Sequence, residues 1–305
     1  MSRTVMALLG ALVLVGCRGR TPGEGADLAA LGRVVDSITP QVEEAVGIRF
    51  GEPPRYQLRS KQQVQEFLLS KLDREFPRER MSGIEAAYRL LGLIADTLDL
   101  KALLLPLYAE QVVGYYDPDS TTLYVVEGAD PKQLPLVLAH ELVHALQHEQ
   151  LPLEKILGAE GNADRLSAAQ AVLEGHATLA MLGVVLGGQT GAGVDQMLSM
   201  PGFWQQYRDQ VRSAQSSMPV FRSAPLVLRE GLIFPYLGGA EFMRWWSGQP
   251  GKSSLPLEND LPQSTEQILH PDRYQAGDRP VAVAFADSAA EVLHEDTMGE
   301  LEIQI

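Results

Sequence analysis

Apolar side chains recur at helical spacing along most of the chain, and this pattern predicts a mainly helical protein. Between Asp27 and Gly47 they return every three or four positions, which predicts an N-terminal helix. The same spacing predicts three more helices near 61–76, 82–96 and 99–110. The apolar stripes on these helices are typical of surfaces that pack into a core.

Three short segments show a β-type pattern instead. Arg55 to Arg59 follows two prolines and predicts a short strand. Residues 111–116 and 122–126 are rich in Val, Tyr and Thr, and a Pro-Asp turn at 117–120 separates them. Two such runs around a turn predict a β-hairpin.

The chain after the hairpin returns to a helical pattern. Asp130 as N-cap and Pro131 at the first position predict a helix that ends near Gln150, because Pro152 cannot continue it. Further on, the pattern predicts a long helix at about 162–186, helices at 203–216 and 226–247, an interruption of the latter at Pro235 and Gly238-Gly239, a short helix at 264–269 and mixed strand from Pro280.

These elements predict an α+β fold that is mostly helical, with a small β-sheet or hairpin just before the helix that ends near Gln150. A chain of 305 residues with 45% hydrophobic side chains is able to bury a sizeable core. We predict one domain over 27–305, with an N-terminal helical part at about 27–110 and a core at about 111–280.

The first residues have the pattern of a bacterial export signal. Arg3 precedes an apolar run over 5–15 that is too short to span a bilayer as a mature helix. Residues 14–17 (Leu-Val-Gly-Cys) resemble a lipobox, which implies a signal peptide at 1–16 and lipidation of Cys17. A plain signal peptide or a short buried helix is the alternative interpretation.

Cysteine usage and charge narrow the picture further. Cys17 is the only cysteine, so the domain forms no internal disulfide, although an exported protein reaches an oxidising compartment. Residues 17–26 then serve as lipid anchor and tether, and we expect a lipoprotein of the cell envelope that faces the periplasm or the exterior. A net charge of −14 without a cluster of Lys or Arg argues against a nucleic-acid partner. No further apolar run is expected to cross a bilayer.

A metal-binding motif, His140-Glu141-Leu142-Val143-His144, lies inside the apolar segment 134–150. Positions i and i+4 of an α-helix share one face, about 6 Å apart along the axis, so His140 and His144 can bind one Zn²⁺ ion. Glu141 is rotated by about 100° and is suited to act as general base toward a metal-activated water. Burying these polar groups is costly unless they are paired or bind a metal. The sequence therefore predicts a single zinc ion.

A catalytic zinc site needs a third protein ligand and keeps one position open for water. Glu174 is the favoured third ligand, because it lies in an otherwise apolar helix beside Gly175 and Ala177, which allow a close approach of helices. The full set of candidates on this part of the chain is Glu160, Asp164, Glu174 and His176.

The motif and its surroundings resemble the zincin superfamily, in particular the gluzincin branch of His-Glu-x-x-His metallopeptidases. Residues 112–118, 138–147, 173–178 and 264–274 are similar to segments of uncharacterised bacterial lipoproteins of metallopeptidase type. The resemblance covers roughly 100–280 and implies that a Glu on a following helix completes the metal site. That group typically has an acidic residue where His176 stands, so the residue that orients a ligand histidine is left open.

The resemblance also implies how a substrate is bound. In a zincin-like fold, the hairpin strand Thr122–Val126 is the sheet edge that pairs with an extended peptide. An electrophilic helper faces the metal and stabilises the oxyanion. Tyr274 and His270 rank first for this role, because they lie in an irregular polar stretch, and Tyr115 and Tyr116 are the other candidates.

The sequence thus predicts a zinc-dependent peptidase that hydrolyses peptide bonds of peptide or protein substrates, with Glu141 as general base. One alternative is a lipid-anchored, zinc-stabilised binding or assembly protein without turnover. Another is a metal-free scaffold lipoprotein in which the two histidines are coincidental. Glu141 favours catalysis, because a structural zinc ion needs no base.

Overall fold

The computed structural model describes residues 27–158, 161–187, 193–252, 254–281, 283, 292 and 294–305. The expected signal peptide at 1–16, the lipidation site Cys17, the tether to residue 26 and the candidate ligand Glu160 lie outside these ranges. The described part is mostly helical with one small sheet, which confirms the α+β prediction at a coarse level.

Helices form most of the described structure. They are α1 (Leu28–Val46), α2 (Lys61–Glu75), α3 (Arg78–Leu90), α4 (Leu100–Gln111), α5 (Leu134–Gln150), α6 (Leu153–Ile156), α7 (Ala163–Gly187), α8 (Val194–Leu198), α9 (Phe203–Ser216), α10 (Pro219–Ser223), α11 (Leu226–Ser247), a 3-10 turn (Glu258–Asp260), α12 (Thr265–Leu269), α13 (Pro271–Ala276) and α14 (Glu300–Ile303). The predicted helices lie close to their expected bounds, except that the helix predicted at 82–96 is displaced toward the N-terminus. The short helices α6, α8, α10, α13 and α14 were not predicted.

The sheet has three strands, β1 (Arg55–Arg59), β2 (Gly114–Asp117) and β3 (Thr122–Val126), in the order β1-β3-β2. β3 pairs parallel to β1 and antiparallel to β2. The expectation that Thr122–Val126 is a free sheet edge is therefore wrong, because β1 covers its second side. β2 is the edge strand beside α5, and it lies against the helix that carries the His-Glu-x-x-His motif.

α5 is buried on all sides, as its continuous apolar pattern predicts. It packs on α1, β2 and α7, and Leu138, Leu142 and Leu146 have almost no exposed surface. The helix begins at Leu134 rather than at the predicted Pro131, because Asp130 forms a turn instead of an N-cap. The two histidines of the motif are thereby fixed in the centre of the fold.

α7 and α11 cross with their backbones in direct contact. A Cβ on Gly239 would lie 2.0 Å from the Ala171 oxygen, and one on Gly175 would lie 2.2 Å from the Gly239 carbonyl. The prediction that Pro235 and Gly238-Gly239 interrupt the helix at 226–247 is wrong, since α11 runs through all three. Gly239 allows the two helices to pack closely and does not end α11.

The chain end also differs from its prediction. Among the described residues after Pro280 there is no strand, and α14 forms at Glu300–Ile303. The Leu301 N–H donates to the Thr265 hydroxyl at 3.2 Å, and a Cβ on Gly299 would collide with Asp164. Contacts with α7 and α12, which local sequence cannot predict, hold this segment in place.

By length and composition alone, α7 is long and apolar enough to cross a membrane. The sequence pattern predicted this helix but predicted no further membrane-spanning run. Most of its apolar stretch is buried inside the fold between α1, α5 and α11. A buried core helix passes the same test, so this feature is weak evidence for a membrane span.

Candidate metal centre

The two histidines of the motif face each other on the buried side of α5. His140 and His144 are 2% and 3% exposed, and their Nε2 atoms lie 3.0 Å apart. Because they are four residues apart, the helix places both rings on one face, one turn from each other. The helical spacing in the sequence is therefore sufficient to bring the two nitrogen atoms together.

α7 adds a carboxylate to this pair. Glu174 is 1% exposed, and its Oε2 lies 2.9 Å from His140 Nε2 and 3.3 Å from His144 Nε2. Three ligand atoms at about 2.0–2.1 Å from a tetrahedral zinc ion are about 3.3 Å apart, so this triangle has nearly the size of a zinc site. Glu174 Oε1 is buried and has no hydrogen-bond partner among the described residues.

Glu141 lies beside the same pair but is held differently. Its Oε2 accepts a 2.6 Å hydrogen bond from the backbone N–H of Tyr116 on β2. Ligand atoms of His140, Glu141 and His144 all lie within 4.8 Å of one another, so this buried group could hold a metal ion. Glu174 contacts both Nε2 atoms, whereas Glu141 is bound to the edge strand, and this difference favours Glu174 as the third ligand.

The charges of the centre are strongly coupled. Burial lowers the pKa of His140 below its usual value, and its hydrogen bond to Glu174 only partly opposes this. For His144 burial acts in the same direction, but the Glu174 carboxylate outweighs it and raises the pKa to about 9. Burial would raise the pKa of Glu174, yet the two histidines hold it at about 2. The Glu174 carboxylate is therefore ionised, and it stabilises positive charge at the histidine pair.

Gln147 orients one of the histidines. Its Nε2 donates to the Leu173 carbonyl at 2.9 Å, which turns its Oε1 toward His144 Nδ1 at 2.8 Å. An amide oxygen only accepts, so Nδ1 carries the proton and Nε2 is available to a metal. Gln147 Nε2 also lies 3.2 Å from His176 Nδ1, and burial lowers the pKa of His176 to about 4. His176 thus adjoins Gln147 and is not part of the ligand triangle.

A tyrosine from α11 closes the other side of the pair. The ring of Tyr236 stacks on His140 with centroids 5.8 Å apart and an interplanar angle of 28°. Tyr236 is 7% exposed. The contact exists because Gly239, one turn further along α11, lets that helix lie against α7.

The structure does not bring Tyr274 and His270, the favoured electrophilic helpers, to the histidine pair. Tyr274 donates to the Asp260 carbonyl at 2.6 Å and packs on Trp246, while His270 binds Glu300. Trp246 is ten residues from Tyr236 on the same helix, which is about 15 Å along the axis. The expected irregular stretch is wrong, because Tyr274 lies in α13. The local pattern of this short helix does not fix its distance to α5, and the sequence ranking failed for that reason.

The other candidate oxyanion donors, Tyr115 and Tyr116, and the candidate ligand Asp164 also bind other groups. The Tyr115 hydroxyl accepts from Arg59 on the opposite face of the sheet, and the Tyr116 hydroxyl binds His148 Nδ1 at 2.9 Å. Asp164 accepts the N–H and hydroxyl of Thr265, ten residues and so about 15 Å of helix from Glu174. Among the described candidates for the third ligand, Glu174 is the one that contacts both histidines.

Sequence reasoning missed Gln147 and Tyr236. Gln147 follows His144 by three residues, a spacing that places it on the same face of α5, so the signal was present. For Tyr236 the usable signal was the neighbouring glycine pair, which marks a close approach of another backbone as well as a break. Comparison with family models, with curated proteins and with solved structures finds no match for this chain.

Proposed function

We propose that the protein is a zinc-dependent peptidase with His140, His144 and Glu174 as metal ligands and Glu141 as general base. The observation that carries this proposal is the triangle of two Nε2 atoms and one carboxylate oxygen, with a second carboxylate beside it. Two imidazoles and one carboxylate are a donor set that zinc uses in catalytic sites. The ionised Glu174 and the buried Oε1 without a described partner fit a cation at this position.

Bound zinc supplies Lewis-acid polarisation of the scissile carbonyl and makes water more acidic. Glu141 takes the proton of the attacking water and passes it to the leaving amine nitrogen. The Tyr116 N–H holds Glu141 Oε2 in place for this transfer. Tyr236, which stacks on His140, is the proposed donor to the developing oxyanion.

β2 is the proposed binding edge for an extended peptide. It pairs with β3 on one side only and lies next to α5 on the other. The Tyr116 N–H already points away from β3, toward Glu141. Backbone pairing along this edge would bind peptides with little dependence on their side chains.

A second candidate function is a zinc-stabilised binding or assembly protein without turnover. The specific observation in its favour is burial, since the three proposed ligands are each 3% exposed or less. Structural zinc sites are closed in this way, whereas a catalytic site keeps one position open.

Metal analysis and peptide digestion separate the two functions. Purified full-length protein is assayed for zinc and incubated with a peptide library, next to Glu141→Gln and a matched surface control, Glu154→Gln. For a peptidase we expect one zinc per chain in all three proteins and cleavage by wild type and the control only. Stoichiometric zinc without cleavage by wild type would support the binding protein and reject the peptidase.

We further propose that Cys17 carries a lipid that anchors the protein in the cell envelope, where its substrates would be peptides or proteins. The support is the Leu-Val-Gly-Cys tetrad after an apolar run. In cells fed a labelled fatty acid, the label should enter wild type and not Cys17→Ser. Equal labelling of both proteins would reject the anchor.

A further inference from the structure

Arg229 on α11 is unusual among the cationic side chains of the described ranges. It is half-buried, and its Nε is buried without a hydrogen-bond partner in the structure. In the same ranges, every other buried or half-buried Lys or Arg donates to an oxygen atom of the protein. The Nε is removed from water without an acceptor in the structure, which is costly for a charged group, so this position fits a ligand that supplies the anion.

Arg229 lies on the face of α11 that meets the metal centre. It precedes Tyr236 by seven residues, which is two helical turns less about 20°, so both side chains leave the helix on the same face. Tyr236 stacks on His140. Seven residues correspond to about 10.5 Å along the axis, so Arg229 leaves α11 about 10.5 Å from the position of Tyr236, the residue that contacts the histidine pair.

α7 carries a second polar group without a described hydrogen-bond partner, on the side of Glu174 that leads toward Arg229. The start of α7 binds α12, and the end of α11 packs on α13, the helix that follows α12. The two helices therefore run antiparallel, and the path from Tyr236 to Arg229 follows α7 past Glu174. Thr178 lies one turn past Glu174 on the same face. It is 1% exposed, and its hydroxyl has no hydrogen-bond partner among the described residues.

We propose that Arg229 binds a carboxylate of the substrate, with Thr178 as a hydrogen-bond donor to the substrate between the metal centre and Arg229. This inference rests on the proposed peptidase function and names the class of substrate. A guanidinium and a carboxylate form two parallel, charge-assisted hydrogen bonds. An extended peptide advances about 3.3 Å per residue, so 10.5 Å places the carboxylate about three residues from the cleaved bond. Both a free C-terminus and an Asp or Glu side chain supply this chemistry.

Three peptides of one sequence test the proposal. The first ends in a free carboxylate three residues after the cleaved bond, the second is amidated there, and the third is amidated but has Glu at that position. We expect wild type to cleave the carboxylate peptides about 10- to 100-fold more efficiently than the plain amide, mainly through KM. A preference for the first peptide alone identifies the chain terminus, and a preference for both the first and the third includes the acidic side chain.

Variants assign the preference to Arg229. Arg229→Gln should abolish it with unchanged zinc content, and Arg229→Lys should restore part of it, since the charge returns without the two-pronged geometry. Arg222→Gln, at an exposed arginine on α10, should keep it. Equal cleavage of all three peptides by wild type, or a preference that survives Arg229→Gln, would overturn the carboxylate site. Absence of any cleavage by zinc-loaded wild type is a separate result, which rejects the proposed function itself.

Discussion

The candidate metal centre, called the metal centre below, lies on α5, α7 and α11. It carries histidine, tyrosine and acidic side chains, as does the segment Glu258–Gly277, but the two regions differ in how these side chains are buried and paired. In the metal centre the polar groups are almost fully buried and contact one another. In the segment the His270 side chain is 41% exposed and pairs with Glu300 near the surface. Exposed pairs of this kind contribute little to stability, whereas buried polar groups are kept only where a partner or ligand compensates their desolvation.

Removal of the carboxylate from the metal centre should give the largest difference between the two regions. Glu174→Gln should weaken zinc binding by more than about 100-fold, because it removes a charged ligand and outer partners alone contribute 10- to 100-fold. The zinc dissociation constant, measured by competition with a chelator, gives the effect. His270→Gln, the matched change in the segment, should leave that constant within about twofold. A zinc affinity that follows His270 and not Glu174 would reverse the assignment of the two regions.

Removal of a tyrosine hydroxyl from each region should give the next largest difference. Tyr236→Phe should lower kcat about 100-fold with little change in KM, as expected for a lost oxyanion donor. Tyr274→Phe removes the bond to the Asp260 carbonyl and should cost about 1 kcal/mol of stability without a change in kcat. Steady-state kinetics and thermal unfolding of both variants separate the two effects. An equal loss of kcat in both would contradict the placement of Tyr274.

Regular spacing explains how much of this site the sequence could predict. His140, His144 and the helix around them follow from i,i+4 geometry, and Arg55–Arg59 was predicted as a strand with the bounds that the structure has. The identity of Glu174 as the carboxylate that faces the pair was also accessible, because few charged residues interrupt the apolar pattern of α7. Its role as a ligand stays a prediction.

Pairings between distant segments were not accessible. β1 adds to β3 across more than sixty residues of chain, and this pairing turned the expected free edge into a central strand. The stacking of Tyr236 on His140 depends on a helix crossing that forms only in the folded protein. Neither contact leaves a periodic signal in the local sequence, so propensity and pattern could not place these residues.

Orientation of a ligand histidine provides a finer test of the same contrast. Gln147→Leu should weaken zinc binding by about 10- to 100-fold, because His144 loses the acceptor that fixes its tautomer. Gln147→Glu keeps an acceptor for His144 but places an oxygen against the Leu173 carbonyl, so it should recover only part of the affinity. Gln275→Leu in the segment, at an exposed glutamine, should have no effect on zinc. Loss of zinc in the Gln275 variant would show that the segment communicates with the metal centre.

The smallest expected effects come from two glycines. Gly239 lies at the close contact of two helices, and Gly277 has a positive φ angle. Gly239→Ala places a Cβ 2.0 Å from the Ala171 oxygen, a backbone atom that cannot turn away, so α11 must move off α7. We expect a loss of about 1–3 kcal/mol in unfolding free energy and a weaker zinc affinity, because Glu174 and Tyr236 sit on the two helices that separate.

Gly277 ends α13 with a φ of 73° and has open space around its Cβ position. Gly277→Ala should cost about 1 kcal/mol through backbone strain alone and leave zinc affinity unchanged. Gly231→Ala, in open space inside α11, should instead stabilise the helix by about 0.5–1 kcal/mol. Denaturant unfolding with a zinc titration on all three variants distinguishes strain from lost helix contact. If Gly277→Ala weakened zinc as much as Gly239→Ala, the crossing of α7 and α11 would not be what positions the metal ligands.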